Sequence, residues 1–257
     1  MKYIDVHCHI NEEDYGGTEK LMQNIKSAGV EKIISAGFDL PSSEYCKNLS
    51  ERYEGAYFTA GFHPTELKGF SLGLLEKIEE LASHKKCVAV GEIGLDYHYP
   101  DTDKELQYKA FTAQLKLAEK LCLPVVIHSR DCAEDMLEVL KQFAPFRHGA
   151  LLHCYSHSAE LSREFEKLGL YFSFGGTSTW SGSKKAKRTI SALPAEKILT
   201  ETDSPYLPPK SKYGAFPNTP ESIPEIALNI AEIKGLTLEE VTSRIWSNAH
   251  TLFKKLN

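Results

Sequence analysis

The chain has 257 residues, a formal net charge of −5, 42% hydrophobic residues and 25% charged residues. These ordinary globular values exclude a disordered, collagen-like or coiled-coil chain, and the length fits one large domain over residues 1–257. No apolar stretch approaches the roughly 20 residues that cross a bilayer, and the N-terminus lacks the apolar region of a signal peptide. We therefore expect a cytoplasmic protein with no membrane association, and the sequence implies no protein partner.

Six cysteines are scattered along the chain without Cys-x-x-Cys spacing. This pattern indicates free thiols in a reducing compartment rather than a disulfide framework. Because the net charge is negative, no global positive field attracts polyanions. A polyanionic partner would have to be held by local cations or by bound metal.

Short apolar runs alternate with longer helical patterns along the whole chain. The predicted strands cover residues 2–9, 32–38, 56–63, 87–95, 124–128, 150–154, 170–174 and 198–202. The predicted helices cover residues 18–28, 41–53, 72–83, 103–121, 132–143, 159–168, 184–192, 220–234 and 238–254. Eight strand-to-helix repeats in a chain of this length favour a (β/α)8 TIM barrel over an open doubly wound sheet. The first strand is not followed by Gly-x-Gly-x-x-Gly, which weakens a dinucleotide-binding interpretation.

Two histidines, one residue apart, end the first predicted strand. Residues i and i+2 of a strand point to the same face, so His7 and His9 should present their imidazoles side by side while Cys8 faces away. Such a pair can grip a metal ion. A lone His-x-His is more often a solvated or buried pair, so a metal site requires further ligands.

Further ionisable residues lie in or at the ends of other predicted strands. In a TIM barrel the chemistry takes place at the C-terminal ends of the strands, so these side chains should converge on one mouth. They are His63, Glu92, His128, His153 and Asp203. Histidine and carboxylate donors suffice for two divalent ions without any thiolate, and their placement favours a metal site over structural histidines.

Six motifs around these residues occur in order along the whole chain. They are Asp5-Val6-His7-Cys8-His9, Gly61-Phe62-His63-Pro64, Gly91-Glu92-Ile93-Gly94-Leu95-Asp96-Tyr97, Ile127-His128-Ser129-Arg130, His153-Cys154 and Glu201-Thr202-Asp203-Ser204-Pro205-Tyr206-Leu207. The set resembles the TatD-related deoxyribonucleases, metal-dependent hydrolases of the amidohydrolase superfamily. The resemblance implies one ion held by His7, His9, Glu92 and Asp203, and a second ion held by Glu92, His128 and His153. Glu92 would bridge the two ions.

The chemistry of a two-ion centre fits these residue types. Two divalent ions can bind the oxygens of a phosphodiester and activate a water molecule, and a bridging carboxylate such as Glu92 offers one oxygen to each ion. Asp203 is the predicted general base, because a carboxylate beside a cation stays ionised. The sequence leaves the ion open among Mg, Mn and Zn.

Three further residues are predicted to act around the ions. Arg130 follows His128 by two residues and could pair with a phosphate; the alternative is an ordinary loop arginine paired with an acidic neighbour. His63 is predicted to contact the substrate or to support the ligands, against the alternative of a turn residue before a proline. Glu201 is predicted to orient a metal-bound histidine.

Two segments and one histidine bear on which substrate the protein binds. Residues 208–220 contain no arginine, whereas many members of the family carry a more basic loop here, which argues against binding of long polymers. His157 stands where relatives often have glycine, as an added polar contact or as a tolerated loop residue. Residues 181–188 are rich in lysine and follow strand seven, where barrels commonly build phosphate sites; the alternative is a solvated helix start.

The sequence thus predicts a divalent-metal-dependent phosphodiesterase, a deoxyribonuclease of the exonuclease type acting on DNA ends or short single-stranded DNA. The alternative enzyme is an amidohydrolase, lactonase or esterase for a small carbonyl substrate, because the same metal cradle can serve carbon as well as phosphorus. A third alternative is a metal-binding protein without turnover.

Overall fold

A barrel of parallel strands organises the molecule, and the computed structural model describes residues 1–256 of it. Eight strands form one sheet whose spatial order follows the chain order. They are β1 Tyr3–Cys8, β2 Val30–Ala36, β3 Ala56–Ala60, β4 Cys87–Asp96, β5 Val125–Arg130, β6 Ala150–Leu152, β7 Tyr171–Phe174 and β8 Ile198–Thr200. Each consecutive pair from β1 to β8 is parallel. The predicted TIM barrel is confirmed.

Helices alternate with the strands and cover the outside of the barrel. They are α1 Glu12–Tyr15, α2 Thr18–Ser27, α3 Leu40–Arg52, α4 Leu72–Ala82, α5 Lys104–Leu121, α6 Ala133–Phe143, α7 Ala159–Lys167, α8 Lys184–Ala192, α9 Ile223–Lys234 and α10 Leu238–Leu252. The sequence does not predict α1, because four residues are too short to show a helical period. Within residues 1–256, none of the helices combines the length and the apolar character that a bilayer span needs.

Polar caps determine where two of the longer helices begin. The Asp39 side chain accepts a hydrogen bond from the backbone of Ser42 at the start of α3, and Thr237 accepts one from Glu240 at the start of α10. In both cases the third helical residue also bonds back to the cap, which completes a capping box. These caps set the path of the loops that enter both helices.

The seam between β8 and β1 is joined through a buried side chain. The Thr202 hydroxyl donates to Asp5 Oδ2 at 2.5 Å, and the Thr202 backbone N–H donates to Asp5 Oδ1 at 3.1 Å. Just beyond, the backbone N–H of Asp203 donates to the carbonyl oxygen of His7 at 3.0 Å. Burial raises the pKa of Asp5 to about 8. The seam therefore ties the segment after β8 directly to the strand that carries the two adjacent histidines.

Strand β1 ends at Cys8, one residue short of the predicted end at His9. Strands β3, β6 and β8 also end earlier than the sequence predicts, so the candidate residues of these three follow the strands instead of ending them. These residues are His63, His153 and Asp203. Near the latter two the backbone turns away, since Cys154 has a φ of 43° and Asp203 a φ of 52°. Such left-handed values do not continue a β ladder. Strand β5, in contrast, runs on past the predicted end to Arg130.

Candidate metal centre

The end of β1 presents two imidazoles side by side at the mouth of the barrel, with His7 in the strand and His9 one residue beyond it. The Nε2 atoms of His7 and His9 lie 3.2 Å apart, on either side of Cys8 in the chain. The Nδ1 atom of His9 lies 3.1 Å from the carbonyl oxygen of Ala36 on β2. A hydrogen bond there protonates Nδ1 and leaves the lone pair on Nε2, which is the tautomer that binds a metal through Nε2.

Glu92 lies at the centre of the cluster, and its two oxygens face different groups of histidines. Oε2 lies 3.3 Å from Nε2 of His7 and 3.5 Å from Nε2 of His9. Oε1 faces three other imidazole nitrogens: His153 Nε2 at 2.7 Å, His128 Nδ1 at 2.9 Å and His63 Nε2 at 3.4 Å. A carboxylate that contacts two cations needs this division of its oxygens.

Asp203 stands on the His7 and His9 side of Glu92. Its Oδ1 atom lies 3.4 Å from Nε2 of His9 and 3.7 Å from Nε2 of His7. The bond from its backbone to β1 sets the position of this carboxylate against the histidine pair. The structure therefore brings together the four residues that the resemblance assigns to one ion.

His128 lies between two carboxylates, and one of them is a residue that the sequence analysis does not single out. Its Nε2 atom is 3.0 Å from Oδ2 of Asp96, while its Nδ1 atom faces Glu92. Asp96 is buried at the end of β4, and its other oxygen accepts the backbone N–H of His98 at 2.9 Å. The signal that could have found it is its spacing: residues i and i+4 of a strand share a face, so Asp96 follows Glu92 into the mouth.

Glu201 lies behind His153 and is fully buried. Its Oε2 atom accepts a hydrogen bond from the Ser173 hydroxyl at 2.6 Å and lies 3.7 Å from Nδ1 of His153. Within the described part of the chain that Nδ1 atom has no hydrogen-bond partner, and neither has Oε1 of Glu201. A small rotation of either side chain would join them, which is the orienting arrangement predicted for Glu201.

The electrostatics of the cluster keep both central carboxylates ionised. Burial alone would raise the pKa of Glu92, but the surrounding imidazoles, His153 foremost, outweigh it and hold the pKa well below its ordinary value. Burial opposes ionisation of Asp203 as well, yet the hydrogen bond with His9 and nearby imidazoles lower its pKa to about 2. Burial lowers the pKa of His7, which favours the neutral ring. For His9, His128 and His153 the facing carboxylates outweigh burial and raise the pKa, so a metal ion bound by these rings would displace their protons.

The donor set fits divalent cations. The side chains form three overlapping groups, and within each group the ligand atoms all lie within 4.8 Å of one another. The groups are His7 with His153 and Asp203, His7 with His9 and Glu92, and His63 with Glu92 and His128. Nitrogen and oxygen donors without thiolate suit Zn or Mn better than Mg, which prefers an all-oxygen shell. His63, predicted to contact the substrate, thus lies within the donor cluster itself.

Arg130 lies at the rim, exposed at the end of β5. It pairs in register with Asp96 of β4. Among residues 1–256 its guanidinium forms no ion pair within 4.0 Å, whereas the neighbouring Asp131 carboxylate lies 3.1 Å from Nδ1 of His98. The alternative of a salt-bridged loop arginine is therefore not favoured, and the guanidinium is available beside the cluster.

His157 is held in place at the same rim. Its Nε2 atom lies 2.8 Å from the Ser129 hydroxyl on β5, so it is anchored rather than a loop residue without contacts. Burial first, and then the charge of Lys185, lower the pKa of His157. Arg188 of α8 also pairs with Glu160 of α7 at 2.9 Å, so α8 packs beside the helix that begins just after His157 and Ser158.

The opposite side of the mouth is acidic and aromatic. A cavity of about 740 Å³ opens there over His9, Glu92 and Asp203. Its wall includes four acidic residues and three aromatic ones: Glu12, Glu13, Asp14, Glu66, Phe38, Tyr45 and Tyr206. A polyanion would therefore be repelled along this wall and attracted by Arg130 at the rim and by any ions held by the cluster itself.

The family model described as TatD related DNase matches residues 4–254 of the chain. The chain belongs to the TatD-related DNase family. Members of this family are named as metal-dependent hydrolases, and the chain is 38% identical over 252 residues to one of them, the uncharacterized metal-dependent hydrolase YabD of Bacillus subtilis, with 98% of both chains covered. This TatD-family chain is accordingly a metal-dependent hydrolase.

Two further relatives are similar to this chain in sequence or in structure. The 3'-5' ssDNA/RNA exonuclease TatD of Klebsiella pneumoniae is 32% identical over 242 residues, covering 91% of each chain. The crystal structure of YjjV, a TatD homologue from Escherichia coli K12, superposes with a TM-score of 0.92 at 32% identity and covers 98% of each chain. An organophosphate hydrolase engineered from a lactonase shares 14% identity at a TM-score of 0.64, which shows the barrel fold alone.

Proposed function

We propose that this TatD-family hydrolase is a two-metal phosphodiesterase that removes nucleotides from the ends of single-stranded DNA. The observation that carries the proposal is the division of Glu92, whose two oxygens face His7 and His9 on one side and three histidines on the other. The exonuclease name of the Klebsiella relative supports a polynucleotide substrate.

The proposed ligand sets follow from that division. His7, His9, Glu92 and Asp203 would hold one ion, and Glu92, His128 and His153 would hold the other. Divalent cations in these positions neutralise phosphodiester oxygens and make a water molecule more acidic. Behind the ligands, Asp96 holds the outer nitrogen of His128, and Glu201 faces the outer nitrogen of His153.

Asp203 is the proposed general base. Its pKa of about 2 keeps the carboxylate ionised near neutral pH, and its position beside His7 and His9 lets it accept the proton of an attacking water molecule. Glu92 is catalytic in a different sense, since it joins the two halves of the centre. The backbone bond from Asp203 to His7 fixes the distance between base and ligands.

The charge distribution at the mouth supports action at ends rather than along a polymer. Arg130 offers one guanidinium, and Lys184 and Lys185 lie at the start of α8, where the charge of Lys185 acts on His157. The acidic wall on the other side would repel a continuing phosphate backbone. A short terminal segment fits this mouth better than an intact duplex.

A substrate screen tests the proposal. Metal-reconstituted protein should hydrolyse single-stranded DNA, and the Asp203→Asn variant loaded with the same metal should be slow on it. Matched assays with a phosphomonoester, a lactone and an N-acyl substrate should show little turnover. Hydrolysis of the lactone or the N-acyl compound without cleavage of DNA would support the carbonyl-directed alternative, and inactivity on every substrate would indicate a metal-binding protein without turnover.

A further inference from the structure

A second large cavity lies at the face of the barrel opposite the metal centre. Its volume is about 810 Å³, within the range of roughly 300–1,000 Å³ that small-molecule sites occupy. Lys2 precedes β1, Lys32 lies near the start of β2, and Lys85 lies in the turn that leads into β4. The lining thus comes from the N-terminal ends of the strands, together with Trp246 of α10.

The cavity is strongly cationic in a protein whose net charge is −5. Its wall holds six lysines, Lys2, Lys26, Lys32, Lys85, Lys86 and Lys255, and two carboxylates, Glu31 and Glu54. Like charges gathered in one concave surface repel one another, and the low-dielectric walls focus their field. Such a wall is more stable when an anion is bound.

Two of the lysines converge on one aromatic ring. Lys2 Nζ lies 5.6 Å and Lys32 Nζ lies 5.4 Å from the centroid of the Trp246 ring. Lys32 Nζ is also 3.2 Å from Nε2 of His250 and 5.5 Å from the ring of Tyr57. Burial first, and then the charge of Lys2, lower the pKa of Lys32. The cations and the rings therefore form one surface.

Apart from Lys32, the lysines divide into a structural pair and a group of three that faces the cavity. Lys86 Nζ donates to the carbonyl oxygen of Ser50 at 2.6 Å, and Lys255 Nζ donates to that of His84 at 3.2 Å. These two brace the loops of the wall. Within the part of the chain that the structure describes, Lys2, Lys26 and Lys85 pair with no carboxylate within 4.0 Å, and all three are exposed.

We propose that this cavity is a second ligand site, which binds a nucleoside phosphate through its lysines and stacks the base against Trp246. Lysine ammonium groups bind phosphate oxygens by charge-assisted hydrogen bonds, and the half-buried Trp246 indole offers a flat surface on which a base can stack when Lys2 and Lys32 turn from the ring to the phosphate. The combination of cations and rings favours a nucleotide over inorganic phosphate alone. A concave pocket on the face away from the mouth favours a small molecule over a strand that continues into the metal centre.

Calorimetric titration of the metal-loaded protein with AMP, adenosine and inorganic phosphate tests this site. The triple variant Lys2→Ala, Lys26→Ala and Lys85→Ala should weaken AMP binding at least tenfold. A matched control on the far side, Lys109→Ala, Lys116→Ala and Lys141→Ala, removes the same charge from exposed positions and should leave AMP binding within twofold. Thermal unfolding of each variant checks that the fold is retained.

The Trp246→Leu variant tests the base contact separately. It should weaken AMP at least fivefold and leave phosphate binding within twofold. Absence of AMP binding at millimolar concentration, or equal AMP binding by the cavity variant and the wild type, would overturn the site. Equal loss of AMP and phosphate in Trp246→Leu, or no loss of AMP, would overturn the assignment of a nucleoside ligand.

Discussion

At the scale of single residues, the centre depends on Glu92, because its two oxygens face the two groups of histidines. Replacing it with glutamine keeps the shape but removes the charge and one of the two oxygens that could bind an ion. We expect Glu92→Gln to lose most turnover, at least about a hundredfold, which corresponds to about 2.7 kcal/mol of lost transition-state stabilisation. Elemental analysis and kinetics on the same preparation measure the two effects together. One tightly bound ion in the active wild type, or a near-normal rate of Glu92→Gln at saturating metal, would be incompatible with a bridging carboxylate.

Three further substitutions separate the metal ligands from the general base. His128→Ala and His153→Ala each remove a donor on the Oε1 side of Glu92, so they should mainly weaken one ion, and added metal should restore part of the activity. Asp203→Asn should stay slow at saturating metal, because an amide cannot accept the proton. Rates measured across a metal titration distinguish the two behaviours. Full rescue of Asp203→Asn would leave that residue as a ligand only.

At the scale of elements, the β8–β1 seam is where the metal centre and the stability of the barrel meet. Thr202→Val keeps the shape but removes the hydroxyl that donates to the buried Asp5, and an unsatisfied buried acceptor costs about 1–3 kcal/mol. We expect the free energy of unfolding in urea to fall by about that amount. The control Thr112→Val removes a hydroxyl on the outer face of α5 that bonds only to backbone carbonyls of its own helix. A loss in Thr202→Val no larger than in this control would contradict a supporting role for the seam.

The elements also show why sequence predicts some features and misses others. Alternation of apolar runs with helical periods predicts all eight strands, because parallel strands buried on both faces read as continuous apolar segments. The ends of β3, β6 and β8 are predicted too late, since the apolar or polar character of a residue does not report the left-handed turn at Cys154 or Asp203. The helix α1 is too short to carry a period.

The same contrast holds for the two sites. The metal-centre residues could be found because each lies at or near the C-terminal end of a strand within a recognisable motif. Asp96 ends β4 within one of these motifs, but it escapes the sequence analysis because Glu92, four residues earlier in the same strand, already supplies the carboxylate that the ligand sets require. The lysine-lined cavity opposite the metal centre could not be found from the sequence. Lys2, Lys85 and Trp246 are far apart in the chain, and the closure of the barrel brings them together.

At the scale of the whole molecule, the net charge of −5 limits how a polyanion can be held. With an acidic wall along one side of the mouth, we expect contact with about two to four phosphates, and therefore a shallow decrease of log affinity with log salt, at roughly 0.7 per phosphate for single strands. Arg130→Ala, and Lys184→Ala with Lys185→Ala, should each make the slope shallower. Binding of single-stranded DNA measured across a salt series gives the slope. A steep slope that none of these substitutions alters would indicate an extended groove elsewhere.

The most direct measurement compares a linear end-labelled single strand with a circular strand of the same sequence, both incubated with metal-loaded protein. A centre that accepts a short terminal segment should shorten the linear strand stepwise from one end and leave the circle intact. Asp203→Asn, loaded with the same metal, should do neither. Internal cuts in the circle, or no cleavage of either strand by a protein that carries its metal, would contradict an end-directed phosphodiesterase.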